Sequence, residues 1–294
     1  MLFNKKSYVV VDFSNLVYIS FFAAYRGEPT AIPLHYDAHV AYFHNCIGSY
    51  RRWNGLADFV YALDTRPDEK YRLHPGYKAG RQKLSHKDGS RFNALQPILD
   101  SMGQATTIKA DGYEADDAMA SFVAQNFEDE IIIVTTDKDL WCVADHPNAR
   151  VYDPLKREFI DKHHVRASFC RKDKHKVVQE HLTEFAQIKL FKTLWGDSSD
   201  AIPNVVLRTK NELLPLLTTT DGSLEDFYDK VAAAKLTPKC RLKISEAKEK
   251  IILNNKLVRL NYGCVLQQET INLPEVEEGP LWGAHGEYDL DKIF

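Results

Sequence analysis

The sequence predicts an α/β fold: a central, mostly parallel, twisted sheet flanked by helices, followed by a helical region. Three observations carry this expectation. Short, nearly unbroken apolar runs occur at 7–12 (SYVVVD), 58–63 (DFVYAL), 105–108 and 130–135 (EIIIVT). Runs of that length suit strands covered on both faces, the usual state of a parallel sheet. Helix candidates at 36–52, 91–102 and 114–127 alternate with the strands, as in a doubly wound sheet. After residue 180 the apolar periodicity is helical.

Each element has a local reason. The first two strands run into Asp12 and Asp64, and Asp111-Gly112 makes a turn that opens the helix at 114–127. RVYDPLKREFI (150–160) reads as a small hairpin turning at Asp153-Pro154. In HLTEFAQIKLFKTLWG the apolar positions 182, 185, 188, 190/191 and 194/195 follow a 3.6-residue period, and Gly196 follows as a C-cap. Further helices are expected at 210–217, 224–235 and 241–258. The domain reading is an α/β core over 1–180 with a basic segment at about 66–91, a helical region over 181–262, and a C-terminal extension over 263–294 packing on the core. No internal repeat or low-complexity tract is present.

Composition excludes some classes. Of 294 residues, 44% are hydrophobic and 27% charged, an ordinary balance for a globular protein. No apolar run approaches the roughly 18 residues of a membrane span, so no membrane association is expected. MLFNKKSYVVVD leads directly into a strand without a secretory pattern. The five cysteines (Cys46, Cys142, Cys170, Cys240, Cys264) are odd in number and widely spaced, which fits reduced thiols in a cytoplasm.

The chemistry lies in nine carboxylates: Asp12, Asp64, Glu114/Asp116/Asp117, Asp137/Asp139 and Asp197/Asp200. Acids at the C-terminal ends of parallel strands converge on one edge of the sheet. Crowded anions raise one another's pKa, and a divalent ion removes that penalty. Oxygen-only donors favour Mg²⁺, with Mn²⁺ as an alternative, and two such ions form an apparatus for in-line phosphodiester cleavage. Taken singly, each cluster has an ordinary reading. Acids in a first helical turn complement the helix dipole, and WGDSSD alone is a capping loop. Their joint occurrence carries the expectation of a metal-dependent nuclease. The net charge of −3 becomes positive once nine ligand acids are set aside. Segments 66–91 and 156–176 each carry eight Lys/Arg against three Asp/Glu, and both are candidates for phosphate contact.

The order VDFSN, ALD, PxYKxxR, EADD, TDKD, GDxxD resembles the flap endonuclease/5′-nuclease superfamily, over about residues 7–205. Within it the sequence is most similar to bacterial and phage 5′→3′ exonucleases, including the phage RNase H type. The resemblance implies a PIN-like 5′-nuclease core, a helical arch over the site, and a helix–three-turn–helix that grips duplex DNA. Asp12, Asp64, Glu114 and Asp116 match the family's first-metal group, and Asp117 matches the acid between the metals. Asp137, Asp139, Asp197 and Asp200 match the second-metal group. Lys78 and Arg81 of HPGYKAGR correspond to cations on the scissile phosphate, and Tyr77 to an aromatic that stacks on a terminal base. Arg72, Lys83, Lys87 and Arg91 are candidates for phosphate steering. AIPNVVLRTKNEL lacks the family's glycines after Ile202-Pro203, so the helix–three-turn–helix is degenerate, and Arg208 and Lys210 would replace part of its contact as plain cations.

The implied activity is 5′→3′ exonuclease and flap endonuclease cleavage of DNA with 5′ ends, nicks or flaps, and of RNA in RNA–DNA hybrids. Primer removal would be the role, a monomer the expected state, and a sliding clamp or single-strand-binding protein an expected partner; EYDLDKIF at the C-terminus could dock in a clamp groove. A PIN-type ribonuclease lacks the YKxxR and GDxxD elements. A silent nucleic-acid-binding paralogue would have lost acids. A haloacid-type phosphatase needs a DxD pair where Asp12 is followed by Phe13-Ser14. His163, His164, Cys170, His175 and His181 match no common zinc spacing and read as a basic surface loop.

Overall fold

Strand β1 (Ser7–Asp12) lies inside a seven-stranded sheet of order β6-β5-β4-β1-β2-β3-β9. The structure is a computed structural model and describes residues 5–24, 57–79, 104–172, 178–180, 182–205 and 210–272. Strands β2 (Asp58–Ala62), β3 (Gln104–Lys109), β4 (Glu130–Val134) and β5 (Ala149–Asp153) are parallel with their neighbours in this layer. β6 (Glu158–Phe159) and β9 (Gln267–Asn272) close the two edges antiparallel. β1 pairs with β2 on one side and β4 on the other, so the strand order reverses beside it. Such a switch point opens a crevice at the C-terminal strand ends.

The apolar runs form strands because both faces are covered. Val10, Val60, Ile131 and Ile133 pack with Met119, Phe122 and Val123 of α3 (Ala115–Gln125) and with Trp141 of a 3-10 helix (Lys138–Asp145). On the opposite face Val9, Val11, Tyr61 and Val134 meet Phe13, Leu16 and Val17 of α1 (Phe13–Ala24). Each fully buried aliphatic side chain contributes about 1.5–3 kcal/mol. The expected hairpin at 150–160 is β5–β6, and Asp153 Oδ1 accepts the N–H groups of Leu155 and Lys156 in its turn.

The helical region has its own core. Leu190 and Leu194 of α5 (Gln187–Trp195) pack with Leu213 and Leu217 of α6 (Lys210–Leu217) and Phe227 of α7 (Leu224–Ala233). Ile244 of α8 (Pro238–Glu246) and Ile251 of α9 (Lys248–Val258) complete it. A further cluster of Tyr77, Ile202, Leu257 and Val258 joins this region to the chain that follows β2.

Several boundaries differ from expectation. α5 begins at Gln187 rather than near 182, because the buried Gln187 side chain accepts the N–H groups of Thr183 and Glu184 and fixes a turn there. The helix expected over 241–258 is two helices that meet at Ala247, the first started by Thr237 as N-cap with Pro238 next. Within the C-terminal extension, residues 267–272 form β9 on the edge of the sheet beside β3, a strand too polar to show an apolar run. Helices α1, α2 (Asp68–Leu73) and α4 (Lys162–Ser168) and the hairpin β7 (Cys170–Lys172)–β8 (Val178–Glu180) add to the expected set. The helix candidates at 36–52 and 91–102 lie outside the described residues.

Candidate metal centre

Asp12 ends β1 at the crevice. Its Oδ1 accepts the N–H of Asn15 at 3.1 Å, and its Oδ2 accepts the Thr135 hydroxyl at 2.9 Å. Asn15 in turn exchanges bonds with Thr136: its amide donates to Thr136 Oγ1 and its Oδ1 accepts the Thr136 N–H. VDFSN and TTDKD are thereby held together across the switch point. Asp64 lies just beyond β2, and its Oδ1 accepts the N–H of Ala115 at 3.0 Å, capping α3 in place of Glu114, whose own side chain makes no cap bond. Asp137 caps the 3-10 helix by accepting the Asp139 N–H.

These acids repel one another. Burial, then Asp64 and Asp137, push the Asp12 carboxyl up to about 7. Burial raises Asp116 well above the carboxylate range, with Asp137, Asp12 and Glu114 adding to it. Burial and Asp139 raise Asp137. The charge they lack is the charge a divalent cation would supply.

The remaining acids are held by lysines. Lys70 Nζ is 2.6 Å from Glu114 Oε2, and Lys78 pairs with Glu114 Oε1. Burial alone would raise Glu114, but Lys70 and Lys78 outweigh it and hold the carboxyl at about 2. Lys192 contacts both Asp139 and Asp197, and Lys189 Nζ lies 3.8 Å from Asp139. Against the effect of burial, these cations lower Asp139, while Lys192 and Ser199 lower Asp197 to about 2. Carboxylate oxygens of Asp139, Asp197 and Asp200 lie within 4.8 Å of one another. An all-oxygen donor set of this kind fits a divalent ion.

The turn carrying Asp197 and Asp200 is closed by two backbone bonds, Asp197 N–H to Ile202 O at 2.9 Å and Ile202 N–H to Asp197 O at 2.8 Å. Lys78 N–H donates to Asp200 O at 2.9 Å, which ties the basic segment to this turn. The structure thus brings together Asp12, Asp64, Glu114, Asp116, Asp137, Asp139, Asp197 and Asp200. Asp117 is linked to them through Lys70, which lies 3.4 Å from its Oδ2, while its Oδ1 accepts the backbone N–H of Asn261.

Of the expected nucleic-acid contacts, Tyr77 requires correction. Its ring is 3% exposed and packed edge-on against Tyr71, and its hydroxyl donates to Glu114 at 2.9 Å and lies 3.4 Å from Asp200. A ring so enclosed has no open face for a base; Tyr77 instead bridges two acids. Arg72 is exposed on α2. Lys210 begins α6. Arg81, Lys83, Lys87, Arg91 and Arg208 lie outside the described residues. The sequence reading missed Asn15, Thr135, Lys70, Lys189 and Lys192. The only signal for the last two was their i, i+3 spacing on a helix, which a solvated face shows equally.

The chain is similar to known proteins. The family model described as 5′-3′ exonuclease, N-terminal resolvase-like domain, matches residues 7–170. Flap endonuclease Xni of Colwellia psychrerythraea is 26% identical over 221 residues, covering 74% of this chain and 69% of that protein. A 5′-3′ exonuclease of Mycoplasmopsis pulmonis is 25% identical over 261 residues, covering 88% and 82%. The T5 5′-exonuclease solved with divalent metal ions (zinc) shares the fold, with a TM-score of 0.64 at 17% identity over 86% of this chain and 89% of that one. A T5 flap endonuclease variant solved with DNA and metal ions gives a TM-score of 0.62 at 15% identity, covering 86% and 89%. With its acid-lined switch point and a match spanning more than half its length, the chain belongs to the 5′-3′ exonuclease family.

Proposed function

We propose that this protein is a Mg²⁺-dependent 5′→3′ exonuclease and flap endonuclease that hydrolyses phosphodiesters near the 5′ ends of DNA duplexes, nicks and flaps, and of RNA in RNA–DNA hybrids. The observation that carries the reading is the convergence of eight carboxylates from five separate sequence segments on one crevice, with Lys78 at its rim. Asp12, Asp64, Glu114 and Asp116 would hold a first ion, and Asp137, Asp139, Asp197 and Asp200 a second, with Asp117 between. Bound there, divalent ions supply charge neutralisation and Lewis-acid polarisation for in-line attack of water on the phosphodiester. Lys78 and Arg81 would steady charge on the phosphate oxygens, and Arg72, Lys83, Arg208 and Lys210 would follow the backbone.

The chain's own bonds do the positioning. Asn15 and Thr135 fix the Asp12 carboxyl, and the Tyr77 hydroxyl spans Glu114 and Asp200. A silent paralogue or a PIN-type ribonuclease is less consistent with a complete acid set and with the relatives named above. Primer removal, a monomeric state, and a clamp or single-strand-binding partner belong to the same proposal. A cytoplasmic site of action belongs to the same proposal, supported by the free thiols Cys142, Cys240 and Cys264; among the described residues no helix is long and apolar enough to cross a membrane.

The test is incubation with a 5′-labelled DNA flap and a matching RNA–DNA hybrid, with Mg²⁺ or EDTA. Short labelled products that require the metal are expected, and their lengths separate exonuclease from flap cutting. Tight binding without cleavage in Mg²⁺ or Mn²⁺ would favour the silent paralogue.

A further inference from the structure

Among the described residues, the four lysines at the crevice are unevenly placed. Lys70 and Lys78 pair with Glu114, and Lys189 and Lys192 with the Asp139/Asp197 side. Among the described residues, no lysine or arginine makes an ion pair with Asp12, Asp64, Asp116 or Asp137. The Asp139/Asp197 side of the crevice therefore holds a cation in direct contact, while Asp116 and Asp137 feel Lys189 and Lys192 only at longer range.

Lys192 is the sharpest case. Its ammonium contacts Asp139 Oδ1 and donates to Asp197 Oδ2 at 2.6 Å. These two residues and Asp200 are the three whose oxygens cluster within 4.8 Å. The lysine is in the last turn of α5, where the helix dipole favours a cation, and its side chain is only 17% exposed. Lys189 adds a second positive charge one turn earlier. An ammonium and a divalent ion compete for the same carboxylate oxygens, by charge and by space. A phosphodiester offers the ammonium an alternative oxyanion of comparable hydrogen-bond strength.

On the reading that this is a two-ion nuclease, we infer that Lys192 is the resident counter-ion of Asp139 and Asp197. The substrate-free protein then takes up one divalent ion, at the Asp12/Asp64/Glu114/Asp116 side. Lys192 leaves Asp139, Asp197 and Asp200 open to a second ion only when a substrate phosphate draws it off. Lys192 is on this account a positioning residue that couples substrate arrival to completion of the site. Premature or futile assembly of the second position is thereby disfavoured.

The experiment is a Mn²⁺ titration of the metal-free full chain, counting free ion by electron paramagnetic resonance, for wild type, Lys192→Met and Lys192→Arg. Wild type and Lys192→Arg are expected to bind one ion, with a second much weaker. Lys192→Met is expected to bind two, the second at least about tenfold tighter than in wild type, equivalent to about 1.4 kcal/mol. Two equally tight ions in substrate-free wild type, or an unchanged second affinity in folded Lys192→Met, would overturn the inference. If Lys192→Met fails to fold, the wild-type stoichiometry alone decides. A wild type that cleaves flaps yet binds two equal ions overturns only this inference. One that binds no ion and cleaves nothing overturns the nuclease reading as well.

Discussion

The backbone N–H of Asn261 donates to Asp117 Oδ1 at 2.8 Å, tying the chain beyond α9 to the first turn of α3. Two more residues on the same face of that helix continue the clasp. Ser121 donates to Asn261 O and accepts the Cys264 N–H, and Gln125 donates to Cys264 O. The helix that opens with the acid motif thus also holds the return of the helical region to the sheet. Asp117→Ala removes a buried acceptor and one of the carboxylates facing Lys70. It is expected to destabilise the fold by roughly 1–3 kcal/mol in urea denaturation. Asp117→Asn keeps an acceptor for Asn261 and should lose less stability. On the proposed role between the metals, it should still abolish flap cleavage while sparing flap binding. Wild-type turnover in Asp117→Asn would confine this residue to the clasp.

Lys78 separates backbone from side chain. Its φ of 56° is in the left-handed region, and its N–H bonds to Asp200 O. Glycine adopts that conformation without cost, whereas a Cβ is disfavoured there by about 1–2 kcal/mol. Lys78→Gly should therefore fold at least as stably as Lys78→Ala. Both should lose turnover by about a hundredfold or more if the ammonium steadies the phosphate. Comparing melting temperatures and single-turnover rates of the pair decides it; near-wild-type turnover in either variant would remove Lys78 from the chemistry.

The parts legible in the sequence are those set by local pattern. Of the five parallel strands, those at 7–12, 58–62 and 130–134 declare themselves as apolar runs and 104–109 by its Thr-Thr-Ile stretch, and proposed ligand acids end or closely follow the three apolar runs. What stayed hidden depends on partners far apart in the chain. Lys70 gives no local sign that it will meet Glu114, and Lys192 on an amphipathic helix resembles any solvated lysine. Tyr77 beside a basic motif suggests a stacking platform. Only the packing of Tyr71, Ile202 and Leu257 around it shows that the ring is enclosed. β9 is read from its pairing with β3, because an exposed edge strand needs no apolar run.

His164 lies in the histidine-rich segment, and the structure gives it a capping role. Its Nδ1 meets Asp161 at 2.7 Å and its Nε2 meets Glu158 at 2.8 Å, at the start of α4. Partial burial alone would lower its pKa, but Glu158 and Asp161 outweigh it and hold the imidazole above its usual value. A histidine with a raised folded pKa contributes stability that is fully present below the unfolded value of about 6.5 and is lost as pH rises through the folded value. Wild type is therefore expected to lose more stability than His164→Gln between pH 6 and pH 9. Parallel denaturation curves at the two pH values check this, and an identical loss in both proteins would rule it out.

Gly196 controls the placement of the Asp197/Asp200 turn. Its φ is 73°, and a Cβ there would lie 2.4 Å from Ile202 O and 2.7 Å from Asn204 N, both backbone atoms. No side chain can swing away to relieve such a contact, so the loop closed by the Asp197–Ile202 bonds must move. Gly112 provides the control: its φ of 81° is equally unusual, but a Cβ there would meet nothing within 4 Å. Gly112→Ala should cost only the backbone strain, about 1–2 kcal/mol. Gly196→Ala should cost more than that and displace two of the three clustered acids. Its thermal stabilisation by added Mn²⁺ should therefore shrink relative to Gly112→Ala. Equal melting temperatures and equal Mn²⁺ responses in the two variants would show that the Gly196 turn tolerates the added carbon and does not position Asp197 and Asp200.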